Sequence, residues 1–364
     1  MHNRNELQKK IQAYLPLHGA RTAFMMRFVI AVVVVRGVTA STVASVLNPK
    51  VLLESNEKRI KRFFREVELE GEGFAKLMLA LLPEKSKLVL TLERTTWELG
   101  SVCINILMLG VAYKGLAFPL LWVLLDKKGN VLDKTAPIGP VRSDTRERLA
   151  LVDKMLTLVN AQAIEAVVAD REFTGKDWFK GLRERQLVFV MRVRNNTRIS
   201  SKGKTRSAQQ RYDHLKPQEV YVCPKRCWVF GLRLYVAVTK SKEGELVVLV
   251  CNAEPDKALL RYSRRWQIET LFSALKTRGF NLEDTHMTTP TRLSTLLALL
   301  SLAFAWAHLV GEWCYEQRPL KPKAHGYLPK SYFRRGLDAL RSAILAGNSP
   351  ARISLDDCLE LLSP

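Results

Sequence analysis

Acidic residues are in short supply in this sequence of 364 amino acids: 35 Asp and Glu stand against 57 Lys and Arg, a net charge of +22. That bias favours a polyanionic partner, most often nucleic acid, with an anionic membrane surface or a ribosome as the other partners that satisfy it. Cysteine is sparse as well. The six (Cys103, Cys223, Cys227, Cys251, Cys314 and Cys358) are scattered, which argues against a secreted disulfide scaffold. No apolar run reaches the roughly twenty residues of a bilayer span. The longest, LLALLSLAFAWAHLV between Leu296 and Val310, contains Ser301 and His308 and reads as a buried helix. The opening MHNRNELQKKIQAYL lacks the apolar stretch of a signal peptide, so a soluble cytoplasmic protein is expected. There is no internal repeat. Apolar material is ample: 47% hydrophobic residues exclude wholesale disorder, and the length suits two or three domains.

Residues 1–84 read as a helical, basic region. Phe28–Val35 (FVIAVVVV) is β-branched enough to pass for a strand, and periodicity does not decide so short a run. GVTASTVASVL reads as a short helix capped by Thr39 or Ser41, and SNEKRIKRFFREVELEG as a second one opened by Ser55. The second carries Lys58, Arg59, Lys61, Arg62 and Arg65, a layout suited to a helix-turn-helix in a major groove and equally to a solvated basic face.

Residues 85–196 then alternate in a recognisable order. Leu88–Leu92, Cys103–Tyr113 and Leu116–Leu125 read as strands, the last two joined by the tight Lys114-Gly115 connection of a hairpin. A helix over Thr145–Asn160, a strand over Ala163–Ala169 ending at Asp170, a helix over Gly175–Arg185 and a strand over Val188–Val193 follow. This is the layout of an α/β fold of RNase H-like type, a mixed sheet with helices on both faces; the order alone also fits other α/β folds, and the acids described below select this one. Arg192–Arg211 carries seven basic residues and no acid, Arg198, Lys202 and Lys204 among them, so solvent or phosphate must meet its charge. Residues 197–250 read as a β-rich insertion, 251–285 as the resumed core on a long helix from about 256, and 286–364 as a C-terminal helical region.

The most informative segment is Tyr262–Lys276, YSRRWQIETLFSALK. At about 100° per residue, Tyr262, Arg265, Glu269 and Lys276 fall within an arc of about 60°, with Trp266 beside them. A carboxylate flanked by cations can stay ionised and hold a metal while the cations grip phosphates. An intrahelical Arg265–Glu269 pair is the plainer reading of the same spacing. Asp170 ends its strand, where side chains face the crevice of an α/β sheet, and the first strand supplies a third acid, Glu93 in TLERTTW. Such carboxylates, without Cys or His nearby, favour Mg²⁺ or Mn²⁺, and a pair of these ions suits phosphodiester chemistry.

The Tyr-x2-Arg-x3-Glu-x6-Lys spacing on Tyr262, Arg265, Glu269 and Lys276, together with LERTTWELG and VADREF, resembles the DDE transposases of the insertion-sequence-4 family. KGLAFPLLWVLLDKKGN, ETLFSALKTRGFNLEDTH and AHGYLPKSYFRRGLD resemble segments of that family as well. The resemblance implies an RNase H-like core interrupted by a β-strand insertion. It implies Asp170 and Glu269 as the second and third metal-binding acids, and Tyr262, Arg265 and Lys276 on transposon-end DNA, with Trp266 against that strand. It also implies strand cleavage at the element boundary, transfer of the 3′-OH to target DNA, and a homodimer on double-stranded DNA. One departure stands out: the family has Asp where this chain has Glu93, whose extra methylene moves the carboxylate outward in a site intolerant of displacement. Either a working transposase or an impaired DNA-binding descendant follows from it. Glu98, five residues on, points to the other strand face.

Other signals read as structural. Cys223-x3-Cys227 lacks the second pair or His of a zinc site and reads as two unrelated cysteines. His308 reads as a satisfied core histidine, and His325 as part of a basic tail. Trp228 reads as core, although beside a basic insertion it could stack on a base.

Overall fold

The computed structural model describes residues 2–69, 71–83, 87–99, 102–125, 144–323, 328–346 and 353–364. Five helices come first: α1 (His2–Tyr14), α2 (Gly19–Val35), α3 (Ala40–Leu47), α4 (Leu53–Glu66) and α5 (Glu72–Ala80). The β-branched run is thus helical. Its buried positions, Met25, Phe28, Val29 and Val32, recur at three and four residues, and packing on one face overrides strand propensity. Helix α4 starts two residues before Ser55, and Asn56 ties it to α3 by donating to the carbonyls of Ala44 and Asn48, both at 3.0 Å. Ile60, Phe63 and Phe64 face inward, leaving Lys58, Arg59, Lys61, Arg62 and Arg65 exposed.

The core sheet follows: β1 (Leu88–Leu99), β2 (Val102–Tyr113), β3 (Leu116–Leu125), then α6 (Thr145–Leu156), β4 (Ile164–Ala169), α7 (Lys176–Glu184) and β5 (Phe189–Val193). Lys114 and Gly115 both have positive φ (40° and 92°), which lets a two-residue turn match the strand twist. Strands β1, β2 and β3 pair antiparallel, and β1, β4 and β5 pair parallel, giving the order β3-β2-β1-β4-β5. This is the RNase H-like arrangement expected above.

The chain continues with β6 (Arg198–Ser201), β7 (Lys204–Ser207), α8 (Ala208–Tyr212), β8 (Val220–Val222), β9 (Cys227–Val229), β10 (Leu232–Lys240) and β11 (Leu246–Cys251). β11 pairs antiparallel with β5, so these strands extend the core sheet. Much of the basic stretch is therefore the β6–β7 hairpin and α8.

The last elements are α9 (Ala258–Ser263), α10 (Trp266–Leu275), α11 (Pro290–Gln317), α12 (Tyr332–Ala346) and α13 (Leu355–Glu360). The single long helix expected from about 256 is broken between α9 and α10. There Arg264, Arg265, Gln267 and Ile268 each donate to the carbonyl three residues back, a tightened 3₁₀-type turn. Helix α11 is long and apolar enough to cross a bilayer, yet the whole of its most apolar window is buried in protein. It packs against α2, α4, α5, α10, α12 and β3. Gly311 and Gly336 allow the closest approach: a Cβ on Gly311 would lie 1.8 Å from the Tyr332 carbonyl oxygen, and one on Gly336 1.6 Å from that of Ala307.

Candidate active site

Parallel pairing brings two of the expected acids together. Leu92 on β1 lies opposite Ala169 on β4, and Glu93 and Asp170 are the next residues of the two strands. Helix α10 packs on β3, β1 and β2 with Ile268, Leu271 and Leu275 buried, and the ring of Phe272 meets that of Trp97 on β1 edge-on at 6.4 Å. That docking aims Glu269 at the same place.

Arg265 joins the parts. Its Nη1 donates to Glu93 Oε2 at 2.9 Å and to Glu269 Oε1 at 2.6 Å. The guanidinium, its side chain only 4% exposed, lies 5.6 Å from the Tyr262 ring centre and 4.6 Å from that of Trp266. Tyr262 donates its hydroxyl to Asp170 Oδ1 at 3.1 Å. Tyr262, Arg265, Trp266, Glu93, Asp170 and Glu269 thus form one connected cluster. Trp266 is 58% exposed, its indole forming an outer surface over Arg265.

The electrostatics follow from this crowding. Burial pushes the Glu93 carboxyl up to about 7; Arg265 opposes the shift, and Glu172 and Asp170 add to it. Burial also holds the Tyr262 phenol above its ordinary value, against Arg265 and with help from Asp170. Burial would weaken Arg265 as an acid-holding cation, but Tyr262, Glu269 and Glu93 outweigh it and raise its pKa.

Lys276 departs from the expected stripe. It caps the end of α10 with ψ −134°, pairs with Glu283 at 3.1 Å and reaches the Thr96 carbonyl at 3.4 Å, further along β1. The broken helix and this cap undo the uniform 100° step. Trp228 is 52% exposed rather than core, with Arg233 5.9 Å from its ring. It lines a cleft of about 910 Å³ with Lys202, Lys204, Arg206 and Arg226. Arg198 is exposed on the same hairpin. Cys223 and Cys227 are neighbours, their sulfurs 3.5 Å apart. His308 is a core histidine, but among the described residues neither ring nitrogen has a partner, and burial pushes its pKa down to about 3. His325 and the side chain of Glu98 lie outside the described residues.

Sequence reasoning missed a second clamp. Arg94 donates from Nε and Nη2 to the Glu172 carboxylate at 3.2–3.4 Å, and from Nη1 to Asn105 at 3.1 Å. The residue after Glu93 is thereby tied to the residue two after Asp170. The signal lay in ERTTW and ADREF, in which Arg94 follows Glu93 and Glu172 stands two past Asp170, opposite charges on β1 and just past the end of its neighbour β4.

The donor oxygens suit a hard cation, but the arrangement does not fit one. Among the described residues no three His, Cys, Asp or Glu side chains converge to hold a metal, and Arg265 stands between Glu93 and Glu269.

The RNase H-like sheet thus sets Glu93, in the middle of β1, beside Asp170, the residue just past the end of β4. Residues 142–306 match the family model of the transposase DDE domain, a segment that includes Asp170 and Glu269 and begins after Glu93. That segment, a little under half of the chain, is thus similar to the DDE transposase domain. It is also similar to a solved structure of the piggyBac transposase synaptic complex with hairpin DNA, at 12% identity and a TM-score of 0.44, over 96% of this chain and 77% of that one. No curated protein matches the chain.

Proposed function

We propose that this chain is a DNA transposase of the insertion-sequence-4 type, working in the cytoplasm as a homodimer on double-stranded DNA. It binds the inverted-repeat ends of its element, cleaves at the boundary and joins the 3′-OH ends to target DNA. The observation that supports this best is the linkage of three distant segments: Arg265 joins Glu93 to Glu269, and Tyr262, packed on Arg265, bonds Asp170, the neighbour of Glu93 across the paired strands. In this reading the three acids are the catalytic set, and Tyr262, Arg265, Trp266 and Lys276 hold the DNA near the cleaved phosphate. Lys58, Arg59 and Arg62 on α4, with Arg198, Lys202 and Lys204 on the hairpin, grip the flanking backbone, each contact releasing counterions. The division into residues 1–84, 85–196, 197–250, 251–285 and 286–364 belongs to the same proposal. Two ions, Mg²⁺ or Mn²⁺, would supply hydroxyl activation and stabilisation of the leaving oxygen. The chain's own part is to bind phosphate through cations and to orient Asp170 through the Tyr262 hydroxyl.

A second reading is favoured by Glu93 in place of the family's Asp and by its engagement with Arg265: a repurposed DNA-binding protein without turnover. Incubation of end-containing duplex with Mg²⁺ separates the two. Cleavage by the chain, lost in Asp170→Asn and Glu269→Gln, supports the enzyme. Cleavage only by Glu93→Asp supports the second reading, and binding without cleavage by any variant sinks the first.

A further inference from the structure

The mismatch between the acids and a metal has a structural cause, and resting on the reading above it points to how the site is controlled. One nitrogen of Arg265 serves both Glu93 and Glu269, at 2.9 and 2.6 Å. A positive group already occupies the place between two carboxylates that a divalent cation needs. The guanidinium is firmly held there: its side chain is 4% exposed, and it lies against the rings of Tyr262 and Trp266. Yet the hold is incomplete, because Arg265 Nε is buried without an acceptor among the described residues. A buried donor left unpaired is costly and marks a group with a further partner to find. The turn carrying Arg265, a 3₁₀-type break between α9 and α10, is the kind of local geometry at which a helix can rearrange.

We infer that Arg265 is a resident counter-ion that excludes divalent cations from Glu93 and Glu269 until its guanidinium moves away, and that the length of Glu93 sets the strength of this exclusion. A cation bridging the two acids must take oxygens that Arg265 holds, so guanidinium and metal compete directly. An Asp at position 93 would draw the carboxylate back by about an ångström or more. From 2.9 Å that retreat takes the oxygen beyond good hydrogen-bond reach of Nη1. Glu93 is therefore the residue that closes the clamp.

The test is Mn²⁺ binding by the DNA-free full-length chain, followed by loss of the free-ion electron paramagnetic resonance signal, which needs no turnover. Arg265→Gln should bind Mn²⁺ at least about tenfold more tightly than the wild type. Adding Asp170→Asn and Glu269→Gln to it should remove the gain, locating the ion. Glu93→Asp keeps every charge and should give a smaller gain in the same direction, so it decides the matter should Arg265→Gln fail to fold. Equal or weaker Mn²⁺ binding by both variants would overturn the clamp while leaving the transposase reading intact. Failure of every form, wild type included, to bind Mn²⁺ at millimolar concentration would overturn both the clamp and the metal-dependent part of that reading.

Discussion

Two glutamates, Glu312 buried and Glu93 half-buried, are treated differently. Glu312, on α11, accepts the Tyr113 hydroxyl at 3.0 and 3.1 Å and pairs with Lys114. Burial and Glu312 keep that phenol above its ordinary value, and the bond to Glu312 keeps Lys114 firmly protonated. One acid meets one cation and one hydroxyl, and the charges balance. Glu93 instead shares a single guanidinium with Glu269 and feels Glu172 and Asp170 as well. Structural charge is paired off as far as the fold allows, because an unmatched buried charge is expensive. A surplus of acid kept in place despite that cost is the mark of a site built for chemistry.

Breaking the balanced pair should lower stability. Lys114→Met leaves Glu312 with only the Tyr113 hydroxyl, and because the lysine is 39% exposed the cost in denaturant unfolding should be about 1–2 kcal/mol, below that of a fully buried pair. DNA binding per folded molecule should be unchanged. A loss of DNA binding without a loss of stability would erase the distinction between the two glutamates.

The surplus end should answer to pH. Folded Glu93 keeps its proton to about 7, whereas the free carboxyl releases it near 4.5. Between those values the folded form binds more protons. This group's stabilising contribution is therefore full below about pH 4.5 and falls away as pH rises through 7. Glu93→Gln abolishes the titration, so wild type minus variant stability should drop by up to about 3 kcal/mol between pH 4.5 and 8. A flat difference over that range would mean that Glu93 is ionised throughout and that the surplus is not felt.

How much of this was readable beforehand depends on the distance over which the decisive contacts act. The Lys114-Gly115 turn, the strand ending at Asp170 and the order of the first five strands are local patterns, and all stand in the fold. Glu93 next to Asp170 required only the further step that the first and fourth strands be neighbours. Contacts set by tertiary packing were hidden. Uniform helical angles placed Lys276 beside Glu269, but the 3₁₀-type break and the Lys276 cap send that lysine toward Thr96. Phe28–Val35 was undecidable because helical and strand burial of a fully apolar run look alike until a partner face exists. Trp228 was expected in the core because tryptophan usually is, and its exposure in a cleft of arginines and lysines is a matter of position rather than composition.

Two tyrosines offer the finest comparison, since Tyr113 and Tyr262 each donate a buried hydroxyl to a carboxylate at similar length. Phenylalanine at either position removes one hydrogen bond and should cost about 0.5–1.5 kcal/mol of stability. The consequences should then part. Tyr113→Phe leaves Glu312 with Lys114, so the effect ends with stability. Tyr262→Phe leaves Asp170 without its orienting donor, so cleavage of end-containing duplex should fall, with DNA affinity falling much less. Matching cleavage rates for the two variants, at matching stability loss, would show that the Tyr262 hydroxyl does no more for its acid than Tyr113 does for Glu312.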